Sequence, residues 1–182
     1  MVAASAATLG VQGVGEEGLR AVIRLTARTS FVLFNAAFAA SALARRWPGG
    51  FTRWLARNRR QVGVSFAVSH LVHLVAIVAL TRYAALFDNA GVLVAVLGYV
   101  AVAAMTATSF DRTAAWLGPR RWRRLHLVAG WYVWGVFVAA YVPRTIVESP
   151  AYASFVVVLL AVFALRMLPA PARGYAAATP SA

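Results

Sequence analysis

"QVGVSFAVSHLVHLVAIVALT", residues 61–81, decides the fold. A helix needs about 20 predominantly apolar residues to cross the hydrocarbon core of a bilayer. This stretch is that long and carries no acid and no arginine. A helix satisfies its own backbone in lipid, and the stretch lacks the two-residue alternation of a barrel strand. It therefore predicts a membrane-spanning helix. Two imidazoles, His70 and His73, sit inside it one helical turn apart.

Four further apolar runs flank it, at about 27–44, 91–109, 125–142 and 151–168. Together they predict an all-α protein, an integral membrane helical bundle of about five (five to six) transmembrane helices. Composition agrees: 62% of the 182 residues are hydrophobic and 13% are charged, about half the charged share of a soluble domain. Mean hydropathy is +0.71. A chain of this length is expected to form one such bundle in a lipid bilayer, with no soluble catalytic domain beside it.

The breaks between runs have their own chemistry. "WPGG" (47–50), "FDNAG" (87–91), "LGP" (117–119) and "SP" (149–150) place Pro and Gly where helices stop or start. The first run extends back toward Leu19 with Arg20, Arg24 and Arg28 on one stripe, a pattern suited to the membrane interface. The N-terminus lacks a basic segment followed by an apolar one, so it reads as a tail and not as a signal peptide. "GVGEEG" (13–18) matches G-x-G-x-x-G, but no strand is expected before it, so a dinucleotide site is not expected there.

Net charge is +13, and all 18 basic residues are arginine. The arginines lie between apolar runs, where topology signals belong, so the charge does not read as a nucleic-acid site. The 45–60 loop carries Arg45, Arg46, Arg53, Arg57, Arg59 and Arg60, and the 110–124 loop carries Arg112, Arg120, Arg121, Arg123 and Arg124. Both loops fall on one side of a five-span bundle. That side is expected to be cytoplasmic in a bacterial-type inner membrane. The absence of cysteine excludes disulfides, iron–sulfur clusters and covalent c-type heme.

An ionisable group within a span faces the bundle interior. A lone histidine there is more often packing than a ligand. Here all three lie in or at spans, His70 and His73 on the second and His126 on the fourth. No carboxylate accompanies them, since Asp88, Asp111 and Glu148 are in loops. A di-iron bundle needs glutamates on facing helices, and catalytic zinc needs three ligands. Heme iron needs two axial ligands, an apolar slot and cations for its propionates. With the second helix entering lipid near Gln61, His70 lies about 14 Å deep and His73 about 18 Å. With the fourth starting at Pro119, His126 lies about 10 Å along it. Depth thus favours His70 as the partner of His126.

Two segments resemble the ferric reductase-like transmembrane family. "RNRRQVGVSFAVSHLVHL" (57–74) is similar to its span in which an Arg-Arg pair precedes the heme-binding histidine. "WRRLHLVAGWYVW" (122–134) is similar to its W-x-x-L-H segment. The family includes the membrane parts of NADPH oxidases and ferric reductases, and the heme-binding membrane subunit of the bacterial methionine sulfoxide reductase system. The similarity covers roughly residues 28–142 and implies a heme b electron-transfer bundle. By alignment His73 and His126 match the family's histidines, and His70 has no counterpart. Many members carry another histidine where this chain has Ala139, so one heme is expected, not two.

The resulting expectations are an N-terminal tail or interfacial segment at 1–26, the heme-binding bundle at 27–168, and a flexible C-terminal tail at 169–182. Metal ligation falls to His70, His73 and His126, and propionate contact to Arg60 and Arg124. Met105, Met167 and the aromatics of the fourth span read as packing. Quinone is a second candidate ligand. The electron donor is expected to be a separate reductase or quinol. The rival expectation is a cofactor-free membrane partner or assembly subunit that retains the fold.

Overall fold

The computed structural model describes residues 2–12, 15–84 and 88–169. The described residues are helical, with no strand among them. In chain order the helices are α1 (Val2–Gln12), α2 (Glu16–Arg46), α3 (Gly50–Arg57), α4 (Arg59–Leu80), α5 (Asn89–Ala107), α6 (Asp111–Leu117), α7 (Pro119–Val147) and α8 (Ala153–Met167). A 3₁₀ turn at Pro150–Tyr152 leads into α8.

Five helical segments, α2, α4, α5, α7 and α8 with its leading turn, are long and apolar enough to cross a membrane. Their lipid-facing surfaces are apolar as well: Val32, Leu71, Val75, Leu93, Val100 and Leu160 are all exposed. In water such a surface would drive aggregation, so it fits an integral membrane protein in a bilayer.

The N-terminal region differs from the expected tail. Val2–Gln12 is a helix packed against α2. The first span is one continuous helix of 31 residues beginning at Glu16. Arg20, Arg24 and Arg28 form an exposed stripe on the N-terminal extension of α2, in line with the first run reaching back toward Leu19. Their polarity lowers the apolar average of that end. Arg28 lies about 27 Å from Arg46 along the axis, close to the thickness of the hydrocarbon core. The stripe therefore sits at the end of the bundle opposite Arg46.

The two arginine-rich loops contain short helices. α3 buries only Leu55 and exposes Phe51 and Trp54, and α6 exposes Trp116. Aromatic and arginine side chains on short amphipathic helices suit a membrane interface. Gly118 has φ +78, a left-handed value that favours glycine, and it turns the chain from α6 into Pro119 at the start of α7. At the other end, the Asp88 carboxylate accepts from the Gly91 N–H at 2.7 Å and caps α5.

α2 is the central staff. It packs along α4 over its length and also meets α3 and α8, while α7 packs against α5 and α8. Small hydroxyls let α2 and α4 approach: Thr26, Ser30 and Ser69 are fully buried, and Ser30 Oγ and Ser69 Oγ lie 2.9 Å apart. Above them Phe31, Phe34, Phe38, Phe66, Phe137 and Tyr141 form the core. The arginine-rich segments meet at one end, where Arg60 pairs with Asp111 at 2.7 Å and Arg46 donates to the Pro169 carbonyl at 2.6 Å. Arg173, within the expected tail, lies outside the described residues.

Candidate functional site

Between α4 and α7, toward the arginine-rich end, lies a cavity of about 310 Å³. Phe34, Phe38, Phe66, Val102, Met105 and Gly130 wall its apolar part. Arg57, Arg59 and Arg60 line its mouth together with Ser109 and Trp122, and His126 stands on the α7 side. No carboxylate lines it. Its size is at the small end of cofactor sites, which run about 300–1,000 Å³.

The α7 helix begins at Pro119, as the depth argument required, and His126 sits two turns in. Its ring stacks on Trp122 with centroids 4.2 Å apart. Its Nε2 lies 3.1 Å from Thr108 Oγ1. Thr108 Oγ1 also lies 2.7 Å from the Ala104 carbonyl, which can only accept, so the hydroxyl proton goes there. Nε2 of His126 is then the donor to Thr108, and Nδ1 carries the lone pair. Thr108 is a joint as well, since Trp122 Nε1 donates to its carbonyl at 2.8 Å.

His70 and His73 lie deeper and do not line the cavity. Their rings stack at 5.4 Å, and His70 also stacks on Phe66 at 5.2 Å and Tyr99 at 4.9 Å. His70 Nδ1 is buried without a hydrogen-bond partner among the described residues. His73 Nδ1 lies 2.9 Å from Thr26 Oγ1. Phe66 belongs both to the cavity wall and to the His70 stack, so its ring divides the cavity from the histidine pair.

The residues expected from sequence therefore fall into three groups. His126 and Arg60 share the cavity, and His70 and His73 share a stack behind Phe66. Arg124 is exposed and does not line the cavity; Arg57 and Arg59 do. Arg124 follows Arg123 on the outward side of α7's first turns, whereas the α3–α4 junction carries its arginines over the mouth. Ala139, where the resemblance would place a further histidine, is exposed on the outer face of α7. Thr26, Thr108, Tyr99 and Arg166 went unmarked. For the threonines the one available signal was a hydroxyl residue within an apolar span. Arg166 approaches the cavity from behind, donating to the Phe38 carbonyl at 2.6 Å with its guanidinium carbon 3.8 Å from the Phe38 ring.

No group of three or more His, Cys, Asp or Glu converges among the described residues, so that donor set cannot supply a zinc or di-iron centre there. The cavity itself offers one imidazole, that of His126 on α7, with aromatic walls and guanidinium groups at one end; the α4 imidazoles stand behind Phe66. The buried Nδ1 of His70 has no hydrogen-bond partner among the described residues, so packing leaves that imidazole unsatisfied. Comparison with known proteins returns no match: no family model, no curated protein and no solved structure is similar to this chain.

Proposed function

We propose that the chain is a membrane electron-transfer protein of the ferric reductase-like kind, holding one b-type heme between α4 and α7. The observation that carries this reading is the cavity. An apolar slot separates two spans, an imidazole stands on its wall, and three arginines crowd its mouth, of which Arg60 is paired with Asp111. His126 and one of the α4 histidines would supply nitrogen to the metal. Arg57, Arg59 and Arg60 neutralise the propionates. Phe34, Phe38 and Val102 keep water from the slot. Heme, when bound, supplies one-electron chemistry; position and dielectric are the protein's part.

The proposal sets two local demands. A heme held from both helices would require the Phe66 ring to move, since that ring lies between the cavity and His70. Ligation through Nε2 would require His126 to release its Thr108 hydrogen bond and to carry its proton on Nδ1 instead. Electrons come from quinol or from a partner reductase that docks on the basic rim. The rim is cytoplasmic by the positive-inside rule, in a bacterial-type inner membrane. Quinone is the second candidate for the slot.

A second reading has its own observation in favour. His73 and His126 each already share a hydrogen bond with a threonine, as packing histidines do. On that reading the chain is a cofactor-free partner or assembly subunit. A reduced-minus-oxidised visible spectrum of the purified protein separates the two. A b-type spectrum whose low-spin character disappears in His126→Ala supports heme. A colourless, iron-free preparation rejects it.

A further inference from the structure

We infer that the cavity beneath Arg57 and Arg59 is a binding site for an anionic phospholipid of the surrounding bilayer, with the phosphate on those guanidinium groups and one acyl chain in the apolar slot. The inference does not rest on the heme reading. The slot admits one guest at a time, and this lipid is the guest of the heme-free chain.

Charge is the first argument. The chain holds five acidic residues. Glu16, Glu17, Asp88 and Glu148 belong to helix ends away from the arginine-rich side. Asp111 alone stands near the mouth, and it is paired with Arg60 at 2.7 Å. Arg57 and Arg59 have no ion-pair partner among the described residues. Arg59 is half-buried, and a charge drawn out of water without a partner is costly. Behind the slot Arg166 adds another cation, with Arg59 and Arg45 near enough to repel it. This end of the bundle needs negative charge that the chain does not supply.

Shape selects among anions. Below the guanidinium groups the slot is walled by Phe34, Phe38, Phe66 and Val102. A small hydrated anion gains nothing from such walls; a methylene chain is stabilised by them. Near the mouth Trp54 on α3 and Trp116 on α6 are exposed, and tryptophans of this kind sit at headgroup level. The mouth therefore lies in the plane of the lipid phosphates, and the slot leads from it toward the hydrocarbon. Basic pockets between membrane helices recognise anionic headgroups in this way. Phosphatidylcholine carries the same phosphate but offsets it with its own cation, so unpaired guanidinium groups favour phosphatidylglycerol.

The test uses the full, heme-free chain in mild detergent. Native mass spectrometry counts the lipid retained from an equimolar mixture of phosphatidylglycerol and phosphatidylcholine. Wild type retains one phosphatidylglycerol in preference to phosphatidylcholine. Arg57→Gln and Arg59→Gln each weaken that retention roughly fivefold. Arg124→Gln, exposed and outside the cavity, leaves it unchanged. Gly63 lines the cavity, and a Cβ built there meets nothing within 4 Å. Gly63→Leu therefore fills the slot and loses the lipid while every arginine remains. Inorganic phosphate at matched ionic strength does not displace the lipid. Circular dichroism confirms that each variant keeps its helices, and phosphatidylglycerol raises the unfolding midpoint of wild type more than that of Arg59→Gln. Four outcomes overturn the inference: equal retention of both lipids by wild type, equal weakening by Arg124→Gln, undiminished retention by Gly63→Leu, or displacement by phosphate, which makes the site one for free anions. None of these readings involves heme, so a failure here leaves the heme reading standing, and a colourless preparation leaves this inference standing.

Discussion

Arg166 lies with its guanidinium carbon 3.8 Å from the centre of the Phe38 ring, and its Nη1 donates to the carbonyl of that same residue at 2.6 Å. Trp131 adds a second aromatic face at 5.3 Å. One cation on α8 thus grips both the side chain and the backbone of α2. A charged hydrogen bond contributes about 1.5–3 kcal/mol, and a desolvated cation–π contact about 2 kcal/mol. Arg166→Met is expected to lose about 2–4 kcal/mol of stability, read from detergent-unfolding midpoints. Arg166→Lys keeps charge without the planar stack and should fall between. A lysine variant as stable as wild type would count against the stacking contribution.

Gly130 packs against the same ring. A Cβ built there meets Phe38 Cε2 at 2.9 Å. Arg166 and the stacked Phe34 ring confine Phe38. Gly130→Ala is therefore expected to cost about 1–3 kcal/mol by overpacking. Phe38→Leu in the same chain should recover part of that loss. Unfolding midpoints of the single and double variants form the check, and additive losses would mean the two positions do not press on one another.

Thr108→Val removes the acceptor that holds Nε2 of His126. Without heme the variant should be less stable by about 1 kcal/mol, the usual net contribution of one hydrogen bond. With heme the sign reverses, since no bond has to be broken before His126 binds. Heme titration of wild type and Thr108→Val measures this: tighter binding in the variant is expected. Weaker binding would place the useful nitrogen of His126 at Nδ1 instead.

Sidedness can be read with single cysteines, because the chain has none of its own. Trp116 on α6 is 85% exposed at the arginine-rich end. Glu148 is exposed at the opposite end. In intact cells, Glu148→Cys should react with an impermeant maleimide and Trp116→Cys should react only after permeabilisation. The reverse labelling pattern would invert the orientation.

The five spans were legible because lipid imposes one simple demand, a long apolar helix, and the runs around His70, Val96, Val133 and Val157 meet it. The start of α2 was legible only as a stripe reaching back toward Leu19, since Glu16, Arg20, Arg24 and Arg28 mark the surface of a helix that outruns the bilayer. The helices inside the arginine loops were hidden because α3 and α6 are too short for a clear period. At the site, the imidazoles could be named from their cost in lipid. Their partners could not. Thr26 meets His73 across 47 residues of chain and Thr108 meets His126 across 18. Such pairs exist only once the helices are docked. Likewise nothing local distinguishes Arg59 from Arg124; only the turn at the α3–α4 junction brings one over the cavity mouth and leaves the other outside.

The guanidinium groups at the cavity mouth have one acidic neighbour, Asp111, and it is spread out into solvent beside Arg60. An approaching molecule meets a field before it meets a shape. Negatively charged visitors are drawn in faster than neutral ones, and dissolved ions erode that advantage as they shorten the reach of each charge to about 8 Å at physiological strength. Whatever enters this protein from that end is sorted first by sign, on the way in, and only afterwards by fit.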